Sequence, residues 1–161
     1  MSLICLKTLC PEDIQYFDGT QYASMSEAVK LQMLSESQAK EHEGRYFEVF
    51  AIHLDGTPDP VGFVSLYDRG PLPEGFKAES LLPIVGISPE IRAGSRNKGY
   101  ATKAMKIAMD LAAEKGFREV LASVLEENTP SLALHRKLGF KELGRGSDKK
   151  GRLHVYFSYL L

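Results

Sequence analysis

The chain has 161 residues, enough for one domain with a core of its own and no need of staples. Hydrophobic residues make up 43% and charged residues 25%, the balance of an ordinary soluble globule, and the formal net charge of -1 excludes a global basic field that would recruit nucleic acid. No apolar run approaches membrane-spanning length, and Met1-Ser2-Leu3 lacks the charged and apolar regions of a secretory signal, so a cytoplasmic protein is expected. Cys5 and Cys10 match neither a CxxC redox motif nor a zinc pair, and read as two small residues around a strand end.

Leu3 to Leu9 reads as a short strand. Pro11-Glu12-Asp13 opens a helical stretch, with acids in the first turn where the helix dipole favours them. A second helical segment is expected from about Ser24 to Glu43, with Ala28, Leu31 and Leu34 as its buried stripe. Tyr46 to Leu54 and Val61 to Tyr67 are rich in β-branched and aromatic residues and flank the turn-forming Asp55-Gly56-Thr57-Pro58-Asp59-Pro60, which predicts a hairpin. Gly70 to Ser80 reads as a loop. Leu81 to Arg92 reads as a strand interrupted by Pro83, Gly86 and Pro89, residues that mark an edge, an end or a bulge.

From Asn97 to Lys115 the helical signal is strong, with Ala101, Ala104, Met105, Ala108, Leu111 and Ala112 on one face and Gly116 as the stop. Arg118 to Leu125 is apolar on both faces, as in a central strand. Thr129-Pro130 caps and starts a short helix that Gly139 ends. Lys141 to Arg145 and Leu153 to Leu161 form a last hairpin. The order is that of a single α+β layered domain, 1–161, with a mixed sheet.

The densest chemical signal is Ile91-Arg92-Ala93-Gly94-Ser95-Arg96-Asn97-Lys98-Gly99-Tyr100-Ala101, which joins the interrupted strand to the amphipathic helix. A helix start presents unpaired N–H groups and the positive end of the macrodipole. Arg96 and Lys98 add positive charge where an isolated helix gains nothing from it, and Gly99 leaves the backbone open to close approach. The pattern fits a di- or triphosphate-like anion. It also fits an ordinary loop–helix junction with surface cations, and on these residues alone both readings stand. The spacing is neither that of a P-loop nor that of a dinucleotide fingerprint.

After the next strand comes Asn128-Thr129-Pro130-Ser131-Leu132-Ala133-Leu134-His135-Arg136-Lys137-Leu138-Gly139-Phe140. Arg96-x-x-Gly99-x-Ala101 resembles the acyl-CoA pyrophosphate motif of the GNAT N-acetyltransferases, and Asn128, Ser131, Lys137 and Gly139-Phe140 are similar to that family's second motif. The resemblance covers about residues 81–140, with the flanks matching as a series of elements. It implies a three-layer α/β/α fold whose mixed, mostly antiparallel sheet is splayed between the fourth and fifth of the seven expected strands, Leu81–Arg92 and Arg118–Leu125. Pantetheine would enter that gap as an extra strand would.

Residue by residue, the resemblance implies that backbone at Ile91 and Arg92 meets pantetheine. The amides of Arg96, Asn97, Lys98, Gly99, Tyr100 and Ala101, with the Thr102 hydroxyl, would hold the pyrophosphate. Asn128 would lie against the pantetheine arm and Lys137 near the phosphates, with Ser131 a cofactor-binding residue of the same motif. Asn128 also reads as a loop residue leading into a helix cap, and Lys137 equally as a solvated lysine.

The activity so implied is transfer of an acetyl group from acetyl-CoA to a primary amine of a small molecule, an amino-acid derivative or a protein N-terminus. A non-catalytic acyl-CoA sensor of the same fold is the alternative. Many family members carry a Tyr as general acid seven positions after the Asn of the second motif; here that position is His135. An imidazolium can donate a proton near neutral pH. Glu90 and Glu48 are candidate bases, each also readable as an exposed strand residue. His42, His53 and His154 make no metal-like spacing, so no metal is expected. The expected partners are acetyl-CoA and an amine acceptor, without nucleic acid or membrane; a homodimer stays open.

Overall fold

The structure is a computed structural model that describes residues 3–69, 74–76 and 83–161. The strands are β1 (Ile4–Thr8), β2 (Glu41–His42), β3 (Arg45–Leu54), β4 (Gly62–Asp68), β5 (Ile84–Ile91), β6 (Glu119–Leu125), β7 (Lys141–Ser147) and β8 (Leu153–Leu160). The helices are α1 (Glu27–Ala39), α2 (Tyr100–Glu114) and α3 (Thr129–Lys137), with 3-10 turns at Pro11–Phe17, Gln21–Ser24 and Ala93–Ser95. Hydrogen-bonded neighbours run β1-β3-β4-β5-β6-β8-β7, and β2 pairs with β3. The β5–β6 pair is parallel, and the other registered pairs are antiparallel. This is the expected α+β class with a mixed, mostly antiparallel sheet. The loop expected over 70–80 falls largely outside the described residues, as do the first two residues of the strand expected from Leu81.

The residues cluster into two compact units, one up to Tyr67 together with Ile87–Ala108, the other Asp68–Gly86 with Met109–Leu161. In the first, Leu9, Phe17, Tyr22, Leu34, Val49, Ala51 and Phe63 form a core, with the Phe17 and Phe63 rings edge to face at 4.8 Å. Helix α1 begins at Ser26, whose side chain accepts from the Val29 amide, and ends at Lys40 in a left-handed conformation (φ 57°). It therefore stops short of Glu43, and Glu41–His42 turn back as β2. Its buried stripe is Lys30, Leu34 and Ser37, while Leu31 is 59% exposed and Ala28 is exposed. The expected stripe missed this because the small polar Ser37 docks the helix: its hydroxyl accepts from the Val49 amide at 2.8 Å.

Strand β5 runs unbroken from Ile84 to Ile91 through Pro89. Arg92 donates its amide to the Val61 carbonyl at 2.9 Å, just before β4. Strand residues alternate their edges, so Pro89, three residues earlier, turns its missing donor away from β4. The parallel ladder with β6 registers Ile84 with Glu119 and Val85 with Val120, and has no further register pair among the described residues. A parallel ladder this short is what the expected splay of the two strands calls for.

In the second unit β6 runs between β5 and β8, as its two apolar faces predicted. Gly116 (φ 93°) ends α2, with the Phe117 amide returning to the Ala112 carbonyl at 3.1 Å. Helix α3 is capped by Asn128 rather than Thr129: its Oδ1 accepts from the Ser131 amide at 3.2 Å. Leu132, Phe140, Val155 and Phe157 are buried here.

Candidate functional site

The loop between β5 and α2 is tied down by backbone and by one arginine. Arg96 donates from Nε to the Ile91 carbonyl at 3.0 Å and from Nη2 to the Gly19 carbonyl at 3.1 Å. Gly19 also accepts from the Ala93 amide at 3.1 Å. Asn97 (φ 63°) and Gly99 (φ 79°) both adopt the left-handed conformation that turns the chain into α2. The first bond of that helix runs from the Lys103 amide to the Gly99 carbonyl. The amides of Tyr100, Ala101 and Thr102 have no acceptor among the described residues.

Arg96, Asn97, Lys98 and Gly99 are exposed, and Tyr100, Ala101 and Thr102 are half-buried. A Cβ built on Gly99 would meet no protein atom within 4 Å, so this face is open. Exposed cations, a positive helix end and three unpaired amides form a cradle suited to an anion.

The two residues expected at pantetheine, Ile91 and Arg92, have partners of their own. The Arg92 amide is engaged by Val61, its carbonyl accepts from the Ser95 amide at 2.8 Å, and its side chain turns to the Pro60 carbonyl at 3.1 Å and over the Tyr16 ring at 5.1 Å. Arg92 is thus an internal brace, its amide, carbonyl and guanidinium each with a partner within the protein. The Ile91 carbonyl is taken by Arg96, while the Ile91 amide, by strand alternation, points to the edge away from β4.

Of the candidate bases, Glu90 is half-buried and its Oε1 accepts from the Gln21 amide at 3.0 Å, with Arg96 Nη2 at 3.6 Å. Nearby, burial first and then the Glu90 charge push the Tyr22 hydroxyl up to about 12. Glu48 is 2% exposed and accepts from Tyr46 Oη at 2.7 Å, so it is a core carboxylate rather than the exposed strand residue it could have been. The same contact, added to burial, raises the Tyr46 pKa far above the usual phenol range.

His135 departs most from expectation. It is 3% exposed, stacked on Phe157 at 5.4 Å and edge to face with Phe140 at 5.0 Å. Its Nδ1 lies 2.7 Å from the Ser131 carbonyl, an acceptor, so Nδ1 carries the hydrogen. Burial lowers its pKa, which leaves Nε2 as a buried lone pair with no partner among the described residues. A neutral ring in that tautomer has no proton at Nε2 to donate, which runs against the acid role. Asn128 spends Oδ1 on the helix cap, Ser131 gives its amide to that cap and its carbonyl to His135, and Lys137 is exposed.

Sequence reasoning missed Gly19, whose carbonyl serves both Ala93 and Arg96. The one trace in the sequence was the turn-forming Asp18-Gly19-Thr20. No group of three or more His, Cys, Asp or Glu side chains among the described residues could hold a metal ion, and no helix among them is long and apolar enough to cross a membrane.

A model of the acetyltransferase (GNAT) domain matches residues 5–141, and the chain belongs to that family of N-acetyltransferases. It is 29% identical over 91 residues to the L-methionine sulfoximine/L-methionine sulfone acetyltransferase of Pseudomonas paraeruginosa, covering 56% of this chain and 49% of that protein. It is 29% identical over 94 residues to the mycothiol acetyltransferase of Pseudarthrobacter chlorophenolicus, covering 51% of this chain and 28% of that one. The chain thus spans half or less of the length of these curated relatives. The crystal structure of the aminoglycoside acetyltransferase AAC(6')-Ib in complex with coenzyme A superposes with a TM-score of 0.75 at 19% identity, over 98% of this chain and 95% of that one. That likeness establishes the fold.

Proposed function

We propose that residues 1–161 act as one acetyltransferase domain that moves an acetyl group directly from acetyl-CoA to the primary amine of a small molecule. The observation that carries this reading is the start of α2, where the amides of Tyr100, Ala101 and Thr102 lack acceptors beside exposed Arg96 and Lys98. These groups suit the pyrophosphate of a CoA ester. Asn97 and Gly99 shape the turn that presents them, and the Thr102 hydroxyl adds a donor. The outward amide of Ile91 suits pantetheine, which pairs as an added strand would. Asn128, Ser131 and Lys137 enter through the family resemblance of their motif, Asn128 with its amide nitrogen, since its oxygen caps α3. A small-molecule acceptor is favoured because curated relatives bear the names of small-molecule acetyltransferases.

The thioester supplies an activated acetyl group and a thiol leaving group of moderate pKa, about 8.5. Glu90 is the proposed proton acceptor for the amine, through its Oε2, which has no partner among the described residues. With His135 neutral, the thiolate leaves without a protein acid or takes its proton from water. The experiment is to mix the protein with acetyl-CoA and a panel of amines and follow free thiol. Release that depends on a particular amine supports the reading. Tight CoA binding with no amine-dependent release across the panel favours the sensing alternative.

A further inference from the structure

Three side chains of the second unit, none of them used above, form a hydrogen-bonded chain. Ser123 lies on β6, His154 on β8 and Asp148 in the turn between β7 and β8. The register pairs Ser123 with Tyr156 and Leu125 with His154, so Ser123 and His154 lie diagonally on one face of the sheet. Ser123 Oγ is 2.9 Å from His154 Nδ1, and His154 Nε2 is 3.0 Å from Asp148 Oδ2.

Asp148 fixes where the protons sit. Its Oδ1 accepts from the Lys150 amide at 2.8 Å and the Arg152 amide at 2.9 Å, and its Oδ2 from Arg152 Nε at 2.8 Å as well as from His154. These donors, His154 foremost, hold its carboxyl well below the usual carboxylate range. A carboxylate only accepts, so His154 Nε2 carries the hydrogen, and in the neutral tautomer this fixes, Nδ1 keeps a lone pair. The hydrogen between Ser123 and Nδ1 is then the hydroxyl's own. Hydroxyl, imidazole and anchored carboxylate stand in the order of nucleophile, base and orienting acid, and such constellations are recognised by role rather than by fold. Ser123 is exposed between buried Ala122 and Val124, so a reagent can reach it.

We propose that Ser123, His154 and Asp148 form a second catalytic site, a serine nucleophile that takes small activated acyl esters. As Ser123 Oγ bonds to the acyl carbon, its proton passes to His154 Nδ1. The bond to the leaving alcohol breaks, and the alcoholate takes that proton. Water then gives a proton to Nδ1 and bonds to the acyl carbon, and Ser123 Oγ leaves and regains the proton. Ester and water become acid and alcohol, and Asp148 stays a carboxylate throughout.

The test treats the full chain, without acetyl-CoA, with p-nitrophenyl acetate and separately with a fluorophosphonate probe. Tandem mass spectrometry should place the phosphonate adduct on Ser123. Ser123→Ala should remove the adduct and lower hydrolysis about 100-fold, and His154→Gln should do likewise because glutamine cannot take the proton. Wild-type protein with Ser123 unmodified by the probe would overturn the proposal. So would a His154→Gln variant, folded by circular dichroism, that hydrolyses the ester at the wild-type rate. Because acetyl-CoA is absent from both assays, either outcome is separate from the fate of the acetyl-transfer reading.

Discussion

Arg96 and Gly19, 77 residues apart in sequence, are joined by a 3.1 Å hydrogen bond from Nη2 to the Gly19 carbonyl. With its second bond to Ile91, Arg96 thereby holds the loop that presents the start of α2. Removing both bonds in Arg96→Ala should cost about 1 kcal/mol of stability, since the side chain is partly exposed. It should also weaken CoA binding about tenfold by loosening the cradle and removing a charge. Arg96→Lys should not restore the affinity, because an ammonium cannot reproduce the planar fork. Urea titration and calorimetry read the two effects.

Strands β4 and β5 approach closely at Gly62, where a Cβ would lie 2.3 Å from the Glu90 carbonyl oxygen and 2.9 Å from Ile91 Cα. Both obstacles are backbone, so the strand itself must shift. Gly62→Ala is expected to destabilise by about 1–3 kcal/mol and to disturb Glu90 and Ile91 with it. Chemical denaturation should register the loss even in the absence of ligand.

Burial lowers the pKa of His135 and of His53 relative to the unfolded chain. The unfolded state therefore binds protons that the folded state refuses. Stability is full above the unfolded value near about 6.5 and falls as pH drops below it towards the lower folded values. His135→Phe keeps the stacking volume, forfeits the bond to Ser131 and removes one such group. Its stability should vary less between about pH 7 and 5 than that of the wild type. Its turnover should be preserved, because a neutral Nδ1–H tautomer donates nothing from Nε2. Thermal melts across that range, with steady-state assays, check both expectations.

Asn128 spends its side-chain oxygen on the Ser131 amide. Asn128→Ala should lose about 1 kcal/mol as a lost cap. Asn128→Asp should keep the cap while replacing the amide donor. If the amide nitrogen serves pantetheine, CoA affinity falls in both variants while stability falls in alanine alone.

Periodicity and turn chemistry made most of the framework legible. The stripe of α2 and the two apolar faces of β6 each follow from a local rule, and the structure agrees with them, whereas β5 runs on through Gly86 and Pro89, where an interruption was expected. Long-range pairings were not legible. Nothing local announces that Gly19 would hold Arg96, that Ser37 would dock α1 on β3, or that Arg92 would turn to Pro60. At His135 the family position was readable, but burial against Phe140 and Phe157 depends on tertiary packing. The chain Ser123, His154, Asp148 was likewise hidden, because its members come together only through the β6–β8 register.

The central claim, that the start of α2 receives the CoA pyrophosphate, is tested most directly at Gly99. Its φ of 79° makes a side chain there cost about 1–2 kcal/mol of backbone strain, and the space around it holds no protein atom within 4 Å. Gly99→Val should therefore stay folded while its side chain stands where the phosphates must approach. Isothermal calorimetry with CoA should find binding to the wild type and none to the folded variant. Unaltered CoA affinity in folded Gly99→Val would contradict the account.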